Sequence, residues 1–333
     1  MVLSAQIQNL EQLEQKLLEA RTKRKPLQLS QDTNAYRLVN GNGDAIEGLT
    51  IDQFADVLVV SLYEEINQNQ ELVLLETIAK GFKPQSIYLK RRPKEARVVS
   101  NTHRSDLAPQ MAAWGLETPE TTVLESGVKY QIRPSGDLSV GIFLDMRETR
   151  TWLSQNIGKS RVLNCFSYTC GFGLVASLAG SSRVVNLDLS RKVLNWGQEN
   201  YRLNNLEPQD MDFISGDTFE WFKRFARRGD TFEAIILDPP SFATSKHSRF
   251  SAANNYDDLV YQAVQLLEPH GLLLVCCNHA KLSRLQFKQA ITRGLDQAKR
   301  GYNLLKSLGQ SGIDYPVPEI EEAPLKVFAL EVI

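Results

Sequence analysis

Two hydrophobic rhythms divide this chain. In the first, Leu10, Leu13, Leu17 and Leu18 recur at helical spacing over residues 10–21, and the basic stretch Arg21-Thr22-Lys23-Arg24-Lys25-Pro26 ends the run. AYRLVNGNGDAIEGLTIDQFADVLVVSLY then predicts a strand, a Gly/Asn turn, a short strand, an acidic turn and a further strand over 57–62. Residues 72–78 are helical in period, and 86–90 read as another short strand. Alternating runs flank the Ser-Gly of TTVLESGVKYQIRP, residues 121–134, and predict a hairpin. These elements predict a small α+β domain over 35–135, behind an N-terminal helix and basic segment over 1–34. Pro134-Ser135-Gly136 marks its end.

From residue 161 strands and helices alternate. Strands are predicted over 161–165, 183–187, 211–215, 234–237 and 272–277. Helices are predicted over 173–179, 191–203, 218–227, 257–267 and 282–298. Such alternation implies an α/β domain, here 136–333, with a parallel sheet covered on both faces. The end departs from it. Residues 303–308 and 325–332 both read as strands, joined by GQSGIDYPVPEIEEAP, which holds no crossover helix, so they should pair antiparallel. This Rossmann-like sheet closed by an antiparallel last strand resembles the class I S-adenosylmethionine-dependent methyltransferases, a likeness of fold.

Composition narrows the class. The chain has 333 residues, 42% hydrophobic and 23% charged, as expected of a globular protein with two domains. No apolar run approaches the roughly 20 residues that span a bilayer. MVLSAQIQNLEQLEQ lacks the charged start and apolar middle of a secretory signal, so a cytoplasmic location without membrane partners is expected. A net charge of −1 supplies no global attraction for nucleic acid, which leaves local patches. Cys165, Cys170, Cys276 and Cys277 form no CxxC pair, so buried thiols are expected, and no metal site.

Open α/β sheets bind ligands at the carboxyl ends of their strands. The turn after the first of these strands, NCFSYTCGFG, offers Asn164, Phe166, Ser167, Tyr168, Gly171 and Gly173 as contacts. Its GxG serves equally well as a plain turn before a helix. In RVVNLDLS, Asp188 can accept both ribose hydroxyls of a nucleoside, with Leu189 and Ser190 beside it. The alternative is a helix cap by Asp188 or Ser190. Asp217 can accept an adenine amino group or cap the helix after it. Phe166 and Tyr168 suit a sulfonium cation.

The fourth strand ends in LDPPSFATSKHSRF. Pro239 and Pro240 stiffen the turn and remove two N–H donors, so Asp238 and nearby carbonyls remain as fixed acceptors. Such a corner suits a base edge that carries N–H groups, with Phe242 stacked on the ring. Asp238, Pro239 and Phe242 are therefore the catalytic candidates. A proline-capped strand end with a core phenylalanine is the bland alternative.

LDPPSFATSK, NCFSYTCGFG, AYRLVNGNGDAIEGLTID and GIFLDMRETR together resemble the bacterial large-subunit ribosomal RNA methyltransferases with an Asp-Pro-Pro-x-Phe corner. The resemblance runs from about residue 35 to the C-terminus. It implies S-adenosylmethionine as cofactor, RNA as substrate, and Phe143, Asp145 and Arg147 near the cofactor. Many members carry an N-terminal PUA domain, and the segment before Ala35 is too short for a complete one. Members acting on cytosine C5 place a nucleophilic cysteine after the fifth strand. LLLVCCNHAKLS, aligned from Gly271, puts Asn278 there and Cys277 one residue early, which is more similar to the guanine branch. His279 can serve as a base or phosphate contact.

Three basic patches are candidates for RNA contact: Lys90-Arg91-Arg92 with Lys94, Arg97 and Arg104; Lys246, His247 and Arg249; and residues 21–25. A solvated face is the alternative for each. The first expectation is therefore an RNA base methyltransferase acting on guanine nitrogen. The others are a cytosine-C5 enzyme using Cys277, a small-molecule methyltransferase, and a non-catalytic RNA-binding protein. The oligomeric state stays open, a dimer included.

Overall fold

The computed structural model describes residues 3–92, 103–244, 249–251, 254–318 and 323–333. The chain forms two compact units. The first is residues 1–144 with 311–318; the second is 145–310 with 319–333. The division falls nine residues beyond the expected punctuation, since residues 136–144 group with the first unit.

In the first unit, β1 (Ala35–Asn40), β2 (Leu49–Phe54), β3 (Val57–Leu62), β4 (Ser86–Arg91) and β5 (Trp114–Gly115) form one sheet in that order. The helix α3 (Gln68–Phe82) makes the crossover that lets β3 and β4 run parallel. Leu3 of α1 (Leu3–Ile7) and Leu13 and Leu17 of α2 (Leu10–Lys23) share a core with Leu74 and Ile78 of α3 and with Leu38, Ile51 and Val60 of the sheet. Of the four helical leucines, Leu13 and Leu17 serve this core, while Leu10 and Leu18 are exposed. A hairpin of β6 (Thr121–Glu125) and β7 (Val128–Ile132) turns on Ser126 and Gly127, both with positive φ.

The second unit opens with α4 (Arg147–Asn156) and continues as β8 (Arg161–Cys165), α5 (Gly171–Leu178), β9 (Arg183–Asp188), α6 (Arg191–Leu203), β10 (Phe213–Ser215), α7 (Thr218–Arg228) and β11 (Phe232–Leu237). After a short ribbon of β12 (Phe242–Thr244) and β13 (Arg249–Ser251) come α8 (Tyr256–Val264), β14 (Leu267–Cys277), α9 (Arg284–Gln297), β15 (Tyr302–Leu308) and β16 (Lys326–Val332). The seven-stranded order is β10-β9-β8-β11-β14-β16-β15. All pairs from β10 to β14 are parallel, and β16 is antiparallel to both neighbours, as the helix-free ending predicts. The expected helix over 257–267 stops at Val264, because Leu267 already pairs with Phe232 as the start of β14.

Candidate active site

Pairing register sets the rim. Cys165 lies level with Leu187 on one side and Leu237 on the other; Ser215 lies level with Asp188, and Leu237 with Val275. Asp188, Gly216 and Asp238 therefore leave the sheet at one edge. The strand order reverses between β8 and β11, which opens a crevice there.

Alternation along each strand then decides which way a side chain faces. Cys165, Leu187, Leu237, Val275 and Cys277 point into the core shared with α7, α8 and α9. Asn186, Asp188, Asp238, Cys276 and Asn278 have the opposite parity, toward α4, α5 and α6.

The loop between β8 and α5 is held in an unusual backbone path. Phe166, Tyr168 and Cys170 have φ of 56°, 49° and 64°, a region that costs a non-glycine residue about 1 kcal/mol or more. Hydrogen bonds over-determine it. Tyr168 N donates to Asp188 Oδ2 at 2.9 Å, Ser167 N to the Leu187 carbonyl, and Cys170 N to the Ser167 carbonyl. Asp188 Oδ1 accepts from Ser190 N at 2.9 Å, and burial raises its carboxyl above the usual range. Asp188 stays part-exposed and Leu189 is 57% exposed, so an acceptor and an apolar face are both presented at the rim. Tyr168 packs against Trp196, with ring centroids 6.2 Å apart.

Some expected contacts have structural duties instead. Asn164 is 1% exposed, and its Nδ2 donates to Asn186 Oδ1, which lies where a Cβ on Gly173 would sit only 2.0 Å away. Asn164 therefore supports α5 from below and does not line the open rim. Ser167 is likewise buried. Asp217 is the cap of α7: its Oδ1 accepts from Phe219 N and Glu220 N. Arg147 is buried beside Glu148, and Phe143 falls in the first unit, half exposed.

Asp238 has the strongest chemistry. Burial first, then the Asp145 carboxylate, push its carboxyl up to about 7, with the Arg150 guanidinium opposing. Asp145 Oδ2 in turn accepts from Asn278 Nδ2 at 2.9 Å. Tyr256 clamps the two strand ends beneath, its hydroxyl donating to the Cys276 carbonyl at 2.8 Å with the Leu237 carbonyl at 3.2 Å. Asp145 and Arg150 lie in GIFLDMRETR and Asn278 in LLLVCCNHAKLS, but nothing in either stretch signals the link between Asn278 and Asp145, and Tyr256 lies in no motif. Pro239 is buried behind Asp238. Phe242 begins β12, paired with Ser251, and its side chain lies outside the described residues.

The cysteines are all buried, and burial raises the thiols of Cys276 and Cys277. No cluster suited to a metal ion occurs among the described residues.

Two basic patches are corrected in part, at Lys90 and Arg24, while Arg21, Lys23 and Lys25 are exposed. Lys90 is fully buried, its ammonium bound to the Pro134 carbonyl, because a strand inside a covered sheet leaves it no route to solvent. Arg91 is held by both Glu71 oxygens at 2.7 Å, and Arg92 by the Leu138 carbonyl. Arg24 is also fully buried, in a two-pronged pair with Asp44 at 2.7 and 2.6 Å. Lys94, Arg97, Lys246 and His247 lie outside the described residues, as do the side chains of Arg104 and Arg249. No helix among the described residues is long and apolar enough to cross a membrane.

Comparison with known proteins bears on this geometry. A family model described as S-adenosylmethionine-dependent methyltransferase matches residues 36–293. The ribosomal RNA large subunit methyltransferase I of Aeromonas salmonicida is 33% identical over 304 residues, 91% of this chain and 75% of that protein. The crystal structure of SMU.776, assigned as a methyltransferase and complexed with SAH, superposes with a TM-score of 0.86 at 27% identity, covering 97% of this chain and 81% of that one. A SAM-dependent methyltransferase structure from Streptococcus mutans does so with a TM-score of 0.85, at the same identity and coverage. The strand-end carboxylates, the strained first loop and a match across most of both units agree: the chain belongs to the S-adenosylmethionine-dependent methyltransferases, with S-adenosylmethionine as its cofactor.

Proposed function

We propose that this enzyme methylates a base of large-subunit ribosomal RNA, at a guanine nitrogen. The RNA part rests on relatives named as ribosomal RNA large subunit methyltransferase I. The choice of atom rests on one observation: Asp238 and Asn278 face the rim while Cys277 faces the core.

The residues present suit the cofactor. Asp188 offers a part-exposed carboxylate for ribose hydroxyls, Leu189 an apolar surface for a purine, and Tyr168 an aromatic edge. When bound, S-adenosylmethionine supplies an electrophilic methyl group on a sulfonium.

Asp238 orients the acceptor. With its carboxyl near 7, it is about half ionised at neutral pH, so it can accept an N–H of the base and then take the proton that the methylated nitrogen sheds. Asn278 fixes the Asp145 carboxylate by its hydrogen bond, and the Arg150 guanidinium favours the ionised form of Asp238. Alignment of this kind can supply roughly 7–11 kcal/mol of a transfer barrier.

One observation favours a second reading, cytosine C5. The His279 N–H points at the Cys277 sulfur and the Lys326 ammonium lies near, and both favour a thiolate against the larger effect of burial. The test is mass spectrometry of nucleosides from large-subunit RNA methylated by the pure enzyme, with wild type beside Cys277→Ser. A methylguanosine formed by both proteins supports the reading. A 5-methylcytidine lost in the serine variant overturns it.

A further inference from the structure

A second candidate surface lies along the outer edge of the catalytic sheet. A groove of about 540 Å³ follows β10. One end is set by Arg161 and Arg183, the first residues of β8 and β9, and by Asp230. The other end reaches Ser215 and Arg191, where the Ser215 hydroxyl donates to the Leu189 carbonyl at the cofactor rim. Trp221 forms a wall, with its indole Nε1 against Gly216, where an added Cβ would come within 2.4 Å.

Among the described residues, the guanidiniums of Arg161, Arg183, Arg191, Arg224 and Arg228 gather here against the carboxylates of Asp210, Asp212 and Asp230. Positive charge is in excess locally although the whole chain carries −1. The cations remain accessible: the Arg183 and Arg228 side chains are 41% and 56% exposed, despite pairing with Asp212 and Asp230. Arg224 and Arg228 lie 4.9 and 5.7 Å from the Trp221 ring centroid, within cation–π range. Met211, 72% exposed, adds an apolar contact at the lip. Fanned guanidiniums beside an aromatic and an apolar side chain suit a chain of phosphates with bases attached.

We infer that this groove is an RNA-contact surface, separate from the base-presenting corner, which takes the sugar–phosphate backbone of the substrate RNA. The inference rests on the RNA reading above. Among the described residues β10 ends the sheet, and its last residue, Ser215, both lines the groove and bonds to Leu189 at the rim.

The test compares wild type with Arg183→Gln/Arg224→Gln/Arg228→Gln and with the matching triple lysine variant. Affinity for labelled, protein-free large-subunit ribosomal RNA is measured between 50 and 300 mM KCl (about the span over which phosphate contacts are screened). Calorimetry with S-adenosylmethionine checks that each variant is folded. The glutamine variant should bind the cofactor as wild type does and bind RNA roughly tenfold more weakly. Its slope of log affinity against log salt should be shallower by about 2, from roughly 0.7–0.9 per lost phosphate contact. The lysine variant, which keeps the charge, should retain most of the slope. If wild type binds RNA and the glutamine variant matches its affinity and slope, the groove is not a contact surface. If wild type binds no RNA at any salt, the RNA reading falls, and the groove with it.

Discussion

Asp238→Asn should make the protein more stable while abolishing methylation, and the gain should depend on pH. The Asp238 carboxyl is raised from 3.8 to about 7, chiefly by burial and then by Asp145. Between pH 4 and 7 the folded protein therefore keeps a proton that the unfolded chain has released. Stability falls as pH rises through this window, by up to about 1.4 kcal/mol per unit, and levels off above 7. A shift of about 3 units corresponds to about 4 kcal/mol; Asp238 is part-exposed, so water screens some of this and about 2–4 kcal/mol is expected. Asparagine, close in shape and uncharged, removes the penalty. Urea unfolding of both proteins from pH 4.5 to 8 measures it. The difference in unfolding free energy should be about a quarter of its full value at pH 4.5 and grow to that full value by pH 8. A difference that stays flat with pH would refute the claim that charge at Asp238 is held against the fold.

Three further substitutions test neighbouring parts. Asp188→Asn should weaken S-adenosylmethionine binding about 10- to 100-fold by calorimetry, because an amide cannot accept from both Tyr168 N and Ser190 N, and hydrogen bonds to a charged group are worth about 1.5–3 kcal/mol. Gly173→Ala should lower the thermal midpoint and the cofactor affinity together, since the new methyl would meet Asn186 Oδ1 at 2.0 Å; wild-type values would show that α5 can shift freely. Lys326→Met should cost about 2 kcal/mol in urea unfolding, as the buried ammonium holds the carbonyls of His279 and Leu282 at 2.8 and 2.7 Å. Its methylation rate should fall more than its cofactor affinity, because the same loop carries Asn278.

The strands of the catalytic sheet were legible because each is a short apolar run ending in a polar residue, and the rim acids because they stand at those ends. Faces were legible too once register was known: one step along β14 separates Cys277 in the core from Asn278 at the rim. Partners far apart in sequence were not legible. Asn278 and Asp145 are 133 residues apart, and nothing local marks either for the other. Charge runs misled for a different reason. Lys90 and Arg24 sit in basic stretches that resemble solvated faces, yet both are buried against carbonyls or a carboxylate supplied by distant chain. Conversely, the arginines along β10 are scattered over residues 161–228 and form no run, so only folding gathers them.

The short segment 311–318 imposes an order on biosynthesis. The Asp314 carbonyl receives Arg24 Nη2 at 3.0 Å, Tyr315 lies under the Arg37 guanidinium at 4.5 Å, and the Pro316 carbonyl accepts from Asn40 Nδ2 and presses on Gly43. A nascent chain emerges from its N-terminus onward, so residues 1–144 must wait until residues 145–310 have been made before their last piece arrives. A product stopped at residue 310 would keep every strand of the first sheet, but would leave a buried guanidinium short of one acceptor and a glycine-lined notch bare. Such a product should be a ready target for proteolysis.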